Sequence, residues 1–395
     1  MRYHSYLNTA KKIIESYGGA GPLAAFLKKF FAADKKYGSK DRKQIAAVCY
    51  NYYRLGKALS NSFIEEKICI ATFLCEQSPN EFLQFHKPEW NAKITVPLEE
   101  KLLVIGDQSL LDDLFPWSAE LSNKVDLRQF CTSFLLQPAL FLRIRPGKKD
   151  IVLQQLLEAG LAFKITGDDC IALINSTKMD GIIEPDKAAI VQDMNSQQVL
   201  DYLKSATGHG QLASNLQHRT TLWDCCAASG GKSILAYDIL QGRVELTVSD
   251  IRETILTNLK KRFASAGITG YHSFVTDLAA ANCQFPAGSY QLIICDAPCT
   301  GSGTWSRTPE QLFYFKPQLI DEFAERQKKI VANTIPCLEK GGLFFYITCS
   351  VFKKENEEVV DLIKEKFPMQ LQSMECLRGY KDCADSMFVA VFKKE

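Results

Sequence analysis

The stretch "DCCAASGGKS", Asp224–Ser233, lies between the apolar "TTLW" of residues 220–223 and the helix-like "ILAYDIL" of residues 234–240. It ends in Gly-Gly-Lys-Ser, which is also how a phosphate-binding P-loop ends. The P-loop pattern would place a glycine at position 226, where this chain has Cys226. The stretch therefore predicts a strand, a loop of small residues and a helix start, against whose backbone amides a ligand can lie. On its own, it is equally consistent with an ordinary strand-to-helix turn.

The chain from residue 211 onward alternates between strand-like and helix-like segments. Strand patterns occupy 220–225, 244–250, 271–277, 290–298, 341–350 and 386–394, and helix patterns occupy 253–267, 318–338 and 354–367. Nearly all strand positions are apolar, which is typical of strands buried on both faces. We therefore predict an α/β, Rossmann-like domain over 211–395, with a mostly parallel sheet and helices on both faces. In such sheets, ligands bind at the carboxyl ends of the strands.

The rest of the chain predicts two smaller parts. Residues 1–110 show helical periodicity, with a glycine pair at 18–19 as a stop signal and a new helix after Pro22. Residues 111–210 combine strand patterns at 139–146 and 170–175 with a helix pattern at 148–160. We predict an all-α domain over 1–110 and a small α/β connector over 111–210.

The composition is that of an ordinary globular protein, with 46% hydrophobic and 23% charged residues in a chain of 395. No apolar run approaches the ~20 residues of a membrane span, and the first residues lack a secretory pattern, so we expect a cytoplasmic protein without membrane contact. The 14 cysteines are scattered, with no CxxC pair and no paired Cys/His spacing. We therefore expect free thiols and no metal site.

Charge is distributed unevenly along the chain. Residues 1–60 hold 12 Lys/Arg and 3 Asp/Glu, a net charge of +9, whereas residues 61–120 hold 4 and 11, a net charge of −7. The basic segment, which includes Lys28, Lys29, Lys35 and Lys36, is a candidate surface for a polyanion. Solvated helix faces are the alternative, and charge alone does not decide between the two.

Polar and thiol-bearing residues follow the carboxyl ends of five predicted strands. They are Asp224, Asp250, Asp277, Asp296 with Cys299, and Cys349. A single aspartate at a strand end commonly caps the next helix, as Asp250 could. The same placement at four strands instead favours a ligand site.

The acidic strand ends and the loop together indicate the kind of ligand. Asp250 follows Gly231 at about the ~20-residue spacing at which an acidic residue accepts the hydroxyls of a bound ribose. The loop lacks the glycine of a phosphate turn, so the ligand is expected to be a nucleoside without a phosphate chain. Carboxylates suit a cationic ligand. S-adenosylmethionine, with a ribose and a sulfonium, meets these conditions.

The two cysteines indicate the type of reaction, because a thiolate is a strong nucleophile. Carbon 5 of cytosine accepts a methyl group only after a nucleophile adds to carbon 6 and an acid or hydrogen bond acts at nitrogen 3. A base must later remove the proton from carbon 5. These strand ends offer Cys349, Cys299 and Asp296 for such a reaction. Their positions leave open which cysteine attacks.

At these residues the sequence resembles the Sun, or RsmB-like, family of RNA cytosine-5 methyltransferases. "DCCAASGGKS" resembles the family's cofactor loop, "DAPCTGSGTWSRTPE" at 296–310 its Pro-Cys motif, and "ITCS" at 347–350 its Thr-Cys motif. The resemblance implies that Cys349 is the nucleophile and that Cys299 assists product release. It also implies cofactor contacts from Cys226, Ala227, Ala228, Ser229, Gly230, Gly231, Lys232, Asp250, Asp277 and Asp296.

The resemblance extends to the N-terminal part of the chain. Residues 21–34 and 38–54 are similar to the NusB-like helical RNA-binding domain of RsmB-type members, and residues 188–203 resemble the segment before the cofactor loop. RNA is therefore the expected partner.

Three positions depart from the family's pattern. Ser229 occupies a position where the family usually has a proline, and this change is expected to loosen the turn. Ser306 replaces the first of two adjacent arginines, and Glu310 replaces an aspartate. The last two belong to a loop that is expected to lie where the substrate approaches, so they bear on the RNA target.

We therefore expect methyl transfer from S-adenosylmethionine to carbon 5 of a cytosine in RNA, with 16S ribosomal RNA as the target. The alternatives are a tRNA target, or a catalytically idle RNA-binding protein that acts in ribosome assembly.

Overall fold

The computed structural model describes residues 2–34, 36–208, 219–283, 285 and 288–395. Lys35 and the predicted boundary at 210/211 lie outside the described residues. The chain divides into two compact units. The first comprises Met1–Ala119, Asp126–Gln137 and Thr304–Pro317, and the second comprises Glu120–Val125, Pro138–Gly303 and Gln318–Glu395.

The first unit is helical over its described residues. Its helices are α1 (Arg2–Ser16), α2 (Leu23–Ala33), α3 (Ser39–Arg54), α4 (Ile64–Cys75), α5 (Glu81–His86), α6 (Pro88–Asn91), α7 (Leu98–Ile105), α8 (Leu110–Leu114), α9 (Leu127–Phe134) and, from much later in the chain, α15 (Pro309–Tyr314). Residues at helical spacing on α3, such as Ile45 and Cys49, are buried in one core with Ile13 and Leu27. The apolar periodicity of residues 1–60 therefore forms the interior of this unit.

The second unit holds all the described strands. They are β1 (Leu140–Ile144), β2 (Phe163–Ile165), β3 (Cys170–Leu173), β4 (Ala189–Val191), β5 (Thr220–Asp224), β6 (Val244–Asp250), β7 (His272–Val275), β8 (Tyr290–Asp296), β9 (Leu338–Thr348), β10 (Met369–Leu377) and β11 (Met387–Lys394). The helices are α10 (Lys149–Glu158), α11 (Met194–Gln198), α12 (Asp201–Gly208), α13 (Gly231–Ile239), α14 (Glu253–Ala266), α16 (Gln318–Thr334) and α17 (Glu357–Lys366).

The first four strands form a small antiparallel sheet in the order β2-β3-β1-β4. Leu156 of α10 packs on it with Leu142 and Ile171. The sequence predicted β1, β3 and α10 but missed the two edge strands. Each of these has only three residues, too few for an alternating pattern to be recognised.

The main sheet has seven strands in the order β10-β11-β9-β8-β5-β6-β7. Strands β5 to β9 pair in parallel, and β11 is antiparallel to both of its neighbours. This confirms the predicted mostly parallel α/β architecture. The sequence missed β10, an edge strand whose residues are mostly half-buried and in which apolar and polar side chains are mixed.

Helices cover both faces of the main sheet. Leu222 on β5 faces a core that includes Ile234 of α13 and Leu259 of α14. Its neighbour Trp223 faces the opposite core, which includes Ile330 of α16. Since neighbouring strand residues point to opposite faces, the continuous apolar strands observed in the sequence are those of a sheet buried on both sides.

Over the residues that the structure describes, no helix combines the length and the apolar character needed to cross a membrane.

Candidate active site

A cavity of about 390 Å³ lies in the second unit at the carboxyl ends of the parallel strands. Its wall contains seven of the residues singled out in the sequence, namely Cys226, Ala228, Asp250, Asp277, Asp296, Cys299 and Cys349. This volume lies within the ~300–1,000 Å³ typical of small-molecule sites. The location is the one expected for a ligand of a doubly wound sheet.

Asp250 fixes the start of the loop that follows β5. One carboxylate oxygen accepts a hydrogen bond from the Ala228 N–H at 3.0 Å, and the other accepts one from the Arg252 N–H at 3.0 Å. The side chain is almost completely buried. Because a carboxylate has about four acceptor sites, Asp250 can still accept hydrogen bonds from a ligand in the cavity.

The rest of the loop shapes the turn and lies outside the cavity wall. Ala227, Ser229, Gly230, Gly231 and Lys232 are absent from that wall. Gly230 has a φ of 84°, and a Cβ there would lie 2.7 Å from the ring of Phe263, so the backbone approaches α14 as only a glycine allows.

The turn at Ser229, which we expected to be loosened, is held in place by Arg262. The guanidinium donates hydrogen bonds to both the carbonyl and the hydroxyl of Ser229 at 3.0 Å, and it also pairs with Asp186 at 2.7 Å. A tie to α14 thus stabilises the turn in which the family more often has a proline.

Lys232 reaches back from α13 to Asp296, with its Nζ 2.6 Å from Oδ2. Burial lowers the pKa of Lys232, but the charge and hydrogen bond of Asp296, with smaller contributions from Cys349 and Asp224, outweigh it and raise the pKa. The buried Lys232 ammonium group therefore pairs with the Asp296 carboxylate and lies near Cys349.

Asp224 is the strand-end aspartate that does not reach the cavity. It is completely buried, and its Oδ2 accepts a hydrogen bond from the Ser233 hydroxyl at 2.6 Å, whereas Oδ1 has no partner among the described residues. Burial raises its pKa to about 7, although the Ser233 hydrogen bond opposes this. This carboxylate anchors the end of β5 to α13.

The two cysteines of the predicted pair meet at the cavity. The Sγ atoms of Cys299 and Cys349 are 3.2 Å apart, and both thiols are free. The hydrogen bond with Cys349 and then burial raise the pKa of Cys299 well above its usual value. Cys299 therefore favours its protonated form, while the contact geometry allows either sulfur to be the donor.

Three further thiols cluster beneath the loop. The Sγ atoms of Cys225, Cys226 and Cys295 lie within 4.8 Å of one another. Thiolates at such a separation can bind a soft metal ion. The spacing of these cysteines along the chain does not reveal the cluster, because Cys295 comes from β8. The expectation that the protein uses no metal stays a prediction.

Several wall residues were missed by the sequence analysis. They are Cys225, Ile251, Arg252, Thr276, Leu278, Ala297, Pro298, Arg326 and Ile330. Most are neighbours of the strand-end residues and could have been found by extending each strand end by two positions. Arg326 and Ile330 lie one turn apart on α16, and nothing in the sequence distinguishes them from other residues of that helix.

Ser306 and Glu310 do not line this cavity. Both are buried in the helical unit, where the Ser306 carbonyl accepts a hydrogen bond from Arg54 at 3.0 Å. The Glu310 carboxylate accepts one from the Leu23 N–H at the start of α2, at 3.1 Å. Both residues are thus buried, and the expectation that their loop lies where the substrate approaches stays a prediction. In the structure they are packing residues of the helical unit.

The parallel sheet and the strand-end cavity define a Rossmann-like α/β domain with two thiols on its cavity wall. Residues 211–385 match the family model for the 16S rRNA methyltransferases RsmB and RsmF. This segment is less than half of the chain, and its match agrees with the family resemblance that the sequence motifs indicate.

Individual relatives agree with this assignment. The chain is 26% identical over 245 residues to the probable ribosomal RNA small subunit methyltransferase B of Bacillus subtilis, covering 61% of this chain and 52% of that protein. It is 30% identical over 167 residues to the tRNA (cytosine(72)-C(5))-methyltransferase NSUN6 of Mus musculus, covering 38% of this chain and 34% of that protein. The chain thus spans about half the length of the first of these relatives.

The fold agrees over almost the whole chain with a solved structure. The crystal structure of PH0851 superposes with a TM-score of 0.68 at 16% identity, covering 95% of each chain. This similarity concerns the fold and extends beyond the matched segment to the helical N-terminal part.

Proposed function

We propose that this protein transfers a methyl group to carbon 5 of a cytosine in RNA, with S-adenosylmethionine as the cofactor and 16S ribosomal RNA as the target. The observation that carries the proposal is the pair of free thiols, 3.2 Å apart, on the wall of a cavity that also contains three aspartates. The similarity to ribosomal RNA small subunit methyltransferase B supports the ribosomal target.

The cavity residues suit the cofactor. Asp250 accepts hydrogen bonds from the ribose hydroxyls, and the carboxylates of Asp277 and Asp296 favour a cationic ligand. Cys226 and Ala228 form the small-residue wall against which a flat base can lie. When bound, S-adenosylmethionine supplies the methyl group.

The two thiols have different roles in the reaction at the cytosine base. Cys349 adds as the thiolate to carbon 6 of cytosine, which makes carbon 5 nucleophilic. As this bond forms, Asp296 passes a proton from the Lys232 ammonium to nitrogen 3, where negative charge develops, and takes it back when the adduct collapses. After methylation, Cys299 gives its own proton to solvent and, as the thiolate, takes the carbon 5 proton. The bond between carbon 6 and Cys349 then breaks, and Cys349 leaves as the thiolate. The net change replaces one hydrogen of the base by a methyl group and releases one proton.

The protonation of the pair supports this order of roles. The hydrogen bond with Cys349 is the first cause of the raised pKa of Cys299, which favours the protonated form of Cys299. The charge of Cys349 contributes to the raised pKa of the buried Lys232, so a positive charge lies near the Cys349 sulfur. The family resemblance supports the same assignment.

Substitution of each cysteine tests the mechanism. Cys299→Ala should form the adduct but release it slowly, so a protein–RNA band should survive denaturing gel electrophoresis. Cys349→Ala and the double variant should give no band, because no covalent bond forms without the attacking thiol. Cys376→Ala, which changes a thiol outside the cavity wall, is the matched control and should behave as wild type.

Two results would contradict the roles. A band with Cys349→Ala and none with Cys299→Ala would exchange them. If both single variants methylated RNA at the wild-type rate without a trapped band, covalent catalysis by these cysteines would be wrong.

A tRNA target is the second candidate, favoured by the 30% identity over 167 residues to mouse NSUN6. Bisulfite sequencing of both RNA classes, compared between a deletion strain and the wild type, separates the two targets. Only the true substrate should lose a methylated cytosine in the deletion strain. A catalytically idle assembly factor would transfer no labelled methyl group to either RNA.

A further inference from the structure

Glu355 lies in the turn between β9 and α17, outside the cavity wall, and its side chain is completely buried. The sequence pattern at 354–367 predicts a helix that includes Glu355, but α17 begins at Glu357. A buried carboxylate is costly unless its oxygens accept hydrogen bonds. Its partners therefore show what it does in the fold.

Four hydrogen bonds reach the Glu355 carboxylate from two sides. Oε1 accepts from the Thr300 N–H at 2.8 Å and from Gln327 Nε2 at 3.1 Å. Oε2 accepts from the Thr300 hydroxyl at 2.6 Å and from the Ser350 hydroxyl. Thr300 directly follows Cys299, and Ser350 directly follows Cys349. One carboxylate thus ties together the two chain segments that carry the thiols.

Neighbouring groups hold Glu355 and the Cys299 segment in place. Gln327 Nε2 also donates to the carbonyl of Pro298 at 3.0 Å, so it braces the residue before Cys299 as well. The Tyr346 hydroxyl donates to the Glu355 carbonyl at 2.6 Å and fixes the backbone of the turn. Glu355, Gln327 and Tyr346 are all buried and hydrogen-bonded, which restrains the arrangement.

The charge of Glu355 acts in the same direction as its geometry. The pKa of Cys299 is raised first by the hydrogen bond with Cys349, then by burial, and further by the nearby Cys349 and Glu355 charges. An ionised Glu355 therefore favours the protonated form of Cys299, which is the form assigned to it in the resting pair.

We propose that Glu355 is a positioning residue that holds the Cys299 and Cys349 thiols at reaction distance without touching cofactor or RNA. This role rests on the proposed function and deepens it, because both thiols must reach the same base in turn. A small displacement of a reacting group costs a large factor in rate, even when binding is unchanged.

Kinetics of Glu355→Ala and Glu355→Gln test the role. Loss of the tie in Glu355→Ala should lower kcat by about 30-fold or more and leave both KM values within about threefold, because Glu355 lies outside the cavity wall. Glu355→Gln keeps the length of the side chain and should recover kcat to within about fivefold of wild type. A wild-type kcat in Glu355→Ala, or a loss that lies wholly in KM, would overturn the proposal.

Glu357→Ala is the matched control. Its carboxylate accepts a hydrogen bond from the Ser122 hydroxyl at 2.8 Å and contacts neither thiol segment. It should keep the wild-type kcat. If Glu355→Ala does not fold, Glu355→Asp is the second variant. It retains the charge but is too short to reach both segments, and a wild-type kcat in it would also overturn the role.

Alkylation by iodoacetamide, followed by mass spectrometry without RNA, distinguishes this proposal from the proposed function. Both thiols should react at least about fivefold faster in Glu355→Ala than in wild type, because the segments loosen and the negative charge is lost. Glu357→Ala should react at the wild-type rate. Unchanged alkylation in a folded Glu355→Ala overturns the positioning role. A wild-type protein that neither methylates nor traps RNA overturns the function instead.

Discussion

At the scale of single residues, the site depends on a few buried charges whose partners come from distant parts of the chain. The Asp250 carboxylate accepts a hydrogen bond from the Ala228 N–H in the loop after β5, and Lys232 Nζ lies 2.6 Å from Asp296 Oδ2. Asp224, next to them, has one carboxylate oxygen without a partner among the residues that the structure describes. These environments lead to two predictions.

Asp250→Ala should weaken cofactor binding. Two charge-assisted hydrogen bonds to the ribose are worth about 1.5–3 kcal/mol each, and 1.4 kcal/mol is a factor of ten in affinity. We therefore expect a loss of affinity of at least about tenfold for S-adenosylhomocysteine in calorimetric titration. Asp361→Ala, an exposed aspartate on α17, is the control. An unchanged dissociation constant for Asp250→Ala would remove this residue from the cofactor site.

Asp224→Asn should flatten the pH dependence of stability. The pKa of Asp224 is about 7 in the folded protein, whereas an unfolded aspartate has a pKa of about 3.9. The folded state therefore binds this proton more tightly, and the resulting stabilisation, complete below pH ~4, is lost as the pH rises through about 7. Between pH 5 and 8 the loss amounts to about 2–3 kcal/mol in the wild type.

The free energy of unfolding, measured with urea at both pH values, checks this prediction. It should fall less in Asp224→Asn than in the wild type, because the amide has no proton to lose. The exposed Asp201→Asn should follow the wild type. Parallel curves for Asp224→Asn and wild type would show that the carboxyl does not titrate in this range.

At the scale of elements, the loop between β5 and α13 is shaped by two adjacent glycines with different requirements. Gly230 is in the left-handed region, and a Cβ added there would lie 2.7 Å from Phe263 and 3.1 Å from Leu259. At Gly231 the nearest atom to an added Cβ is 4.0 Å away. The loop therefore needs a glycine for backbone reasons at only one of the two positions.

Gly230→Ala should destabilise the protein, and Gly231→Ala should not. A left-handed alanine costs about 1–2 kcal/mol, and the contact with Phe263 adds about 1–3 kcal/mol of overpacking. Gly231 begins α13, where alanine is preferred to glycine by up to about 1 kcal/mol. Urea denaturation of the two variants gives the comparison. Equal midpoints would mean that the turn adapts to a side chain at Gly230.

At the scale of the whole molecule, the chain consists of a helical unit with a basic N-terminal segment and an α/β unit that holds the strand-end cavity. Lys28 and Lys29 are exposed on α2. Lys36 is exposed as well, but its Nζ lies 2.7 Å from Asp34. The ammonium groups of Lys28 and Lys29 are thus the better candidates for contacts with RNA phosphates.

Lys28→Gln/Lys29→Gln should flatten the salt dependence of RNA binding. If both lysines contact phosphates, the slope of log K against log salt concentration should fall by about 1.4–1.8, since each contact contributes about 0.7–0.9. Lys364→Gln/Lys366→Gln, exposed on α17, is the matched control. The same slope for both double variants would show that Lys28 and Lys29 form only a solvated face.

The sequence by itself determined the architecture of the catalytic domain and the identity of its chemical groups. Strand β8 is a largely apolar run that ends in Asp296, and β6 alternates apolar and polar residues before it ends in Asp250. Both the position and the aspartate end of each strand are therefore local properties of the chain. The Pro-Cys and Thr-Cys motifs are local as well. For this reason, the sequence alone is enough to name Cys299 and Cys349 as a pair.

Only the tertiary structure decided which groups meet. Glu355 bonds to the residue after each cysteine, Lys232 pairs with Asp296 across 64 positions of sequence, and Ser306 with Glu310 joins the helical unit. These contacts form between strands and helices that are far apart in the sequence. The side-chain periods of a strand (2.0 residues) and a helix (3.6 residues) describe only local structure and do not predict them. Residue type therefore predicted the chemistry, and long-range packing determined the distances at which it acts.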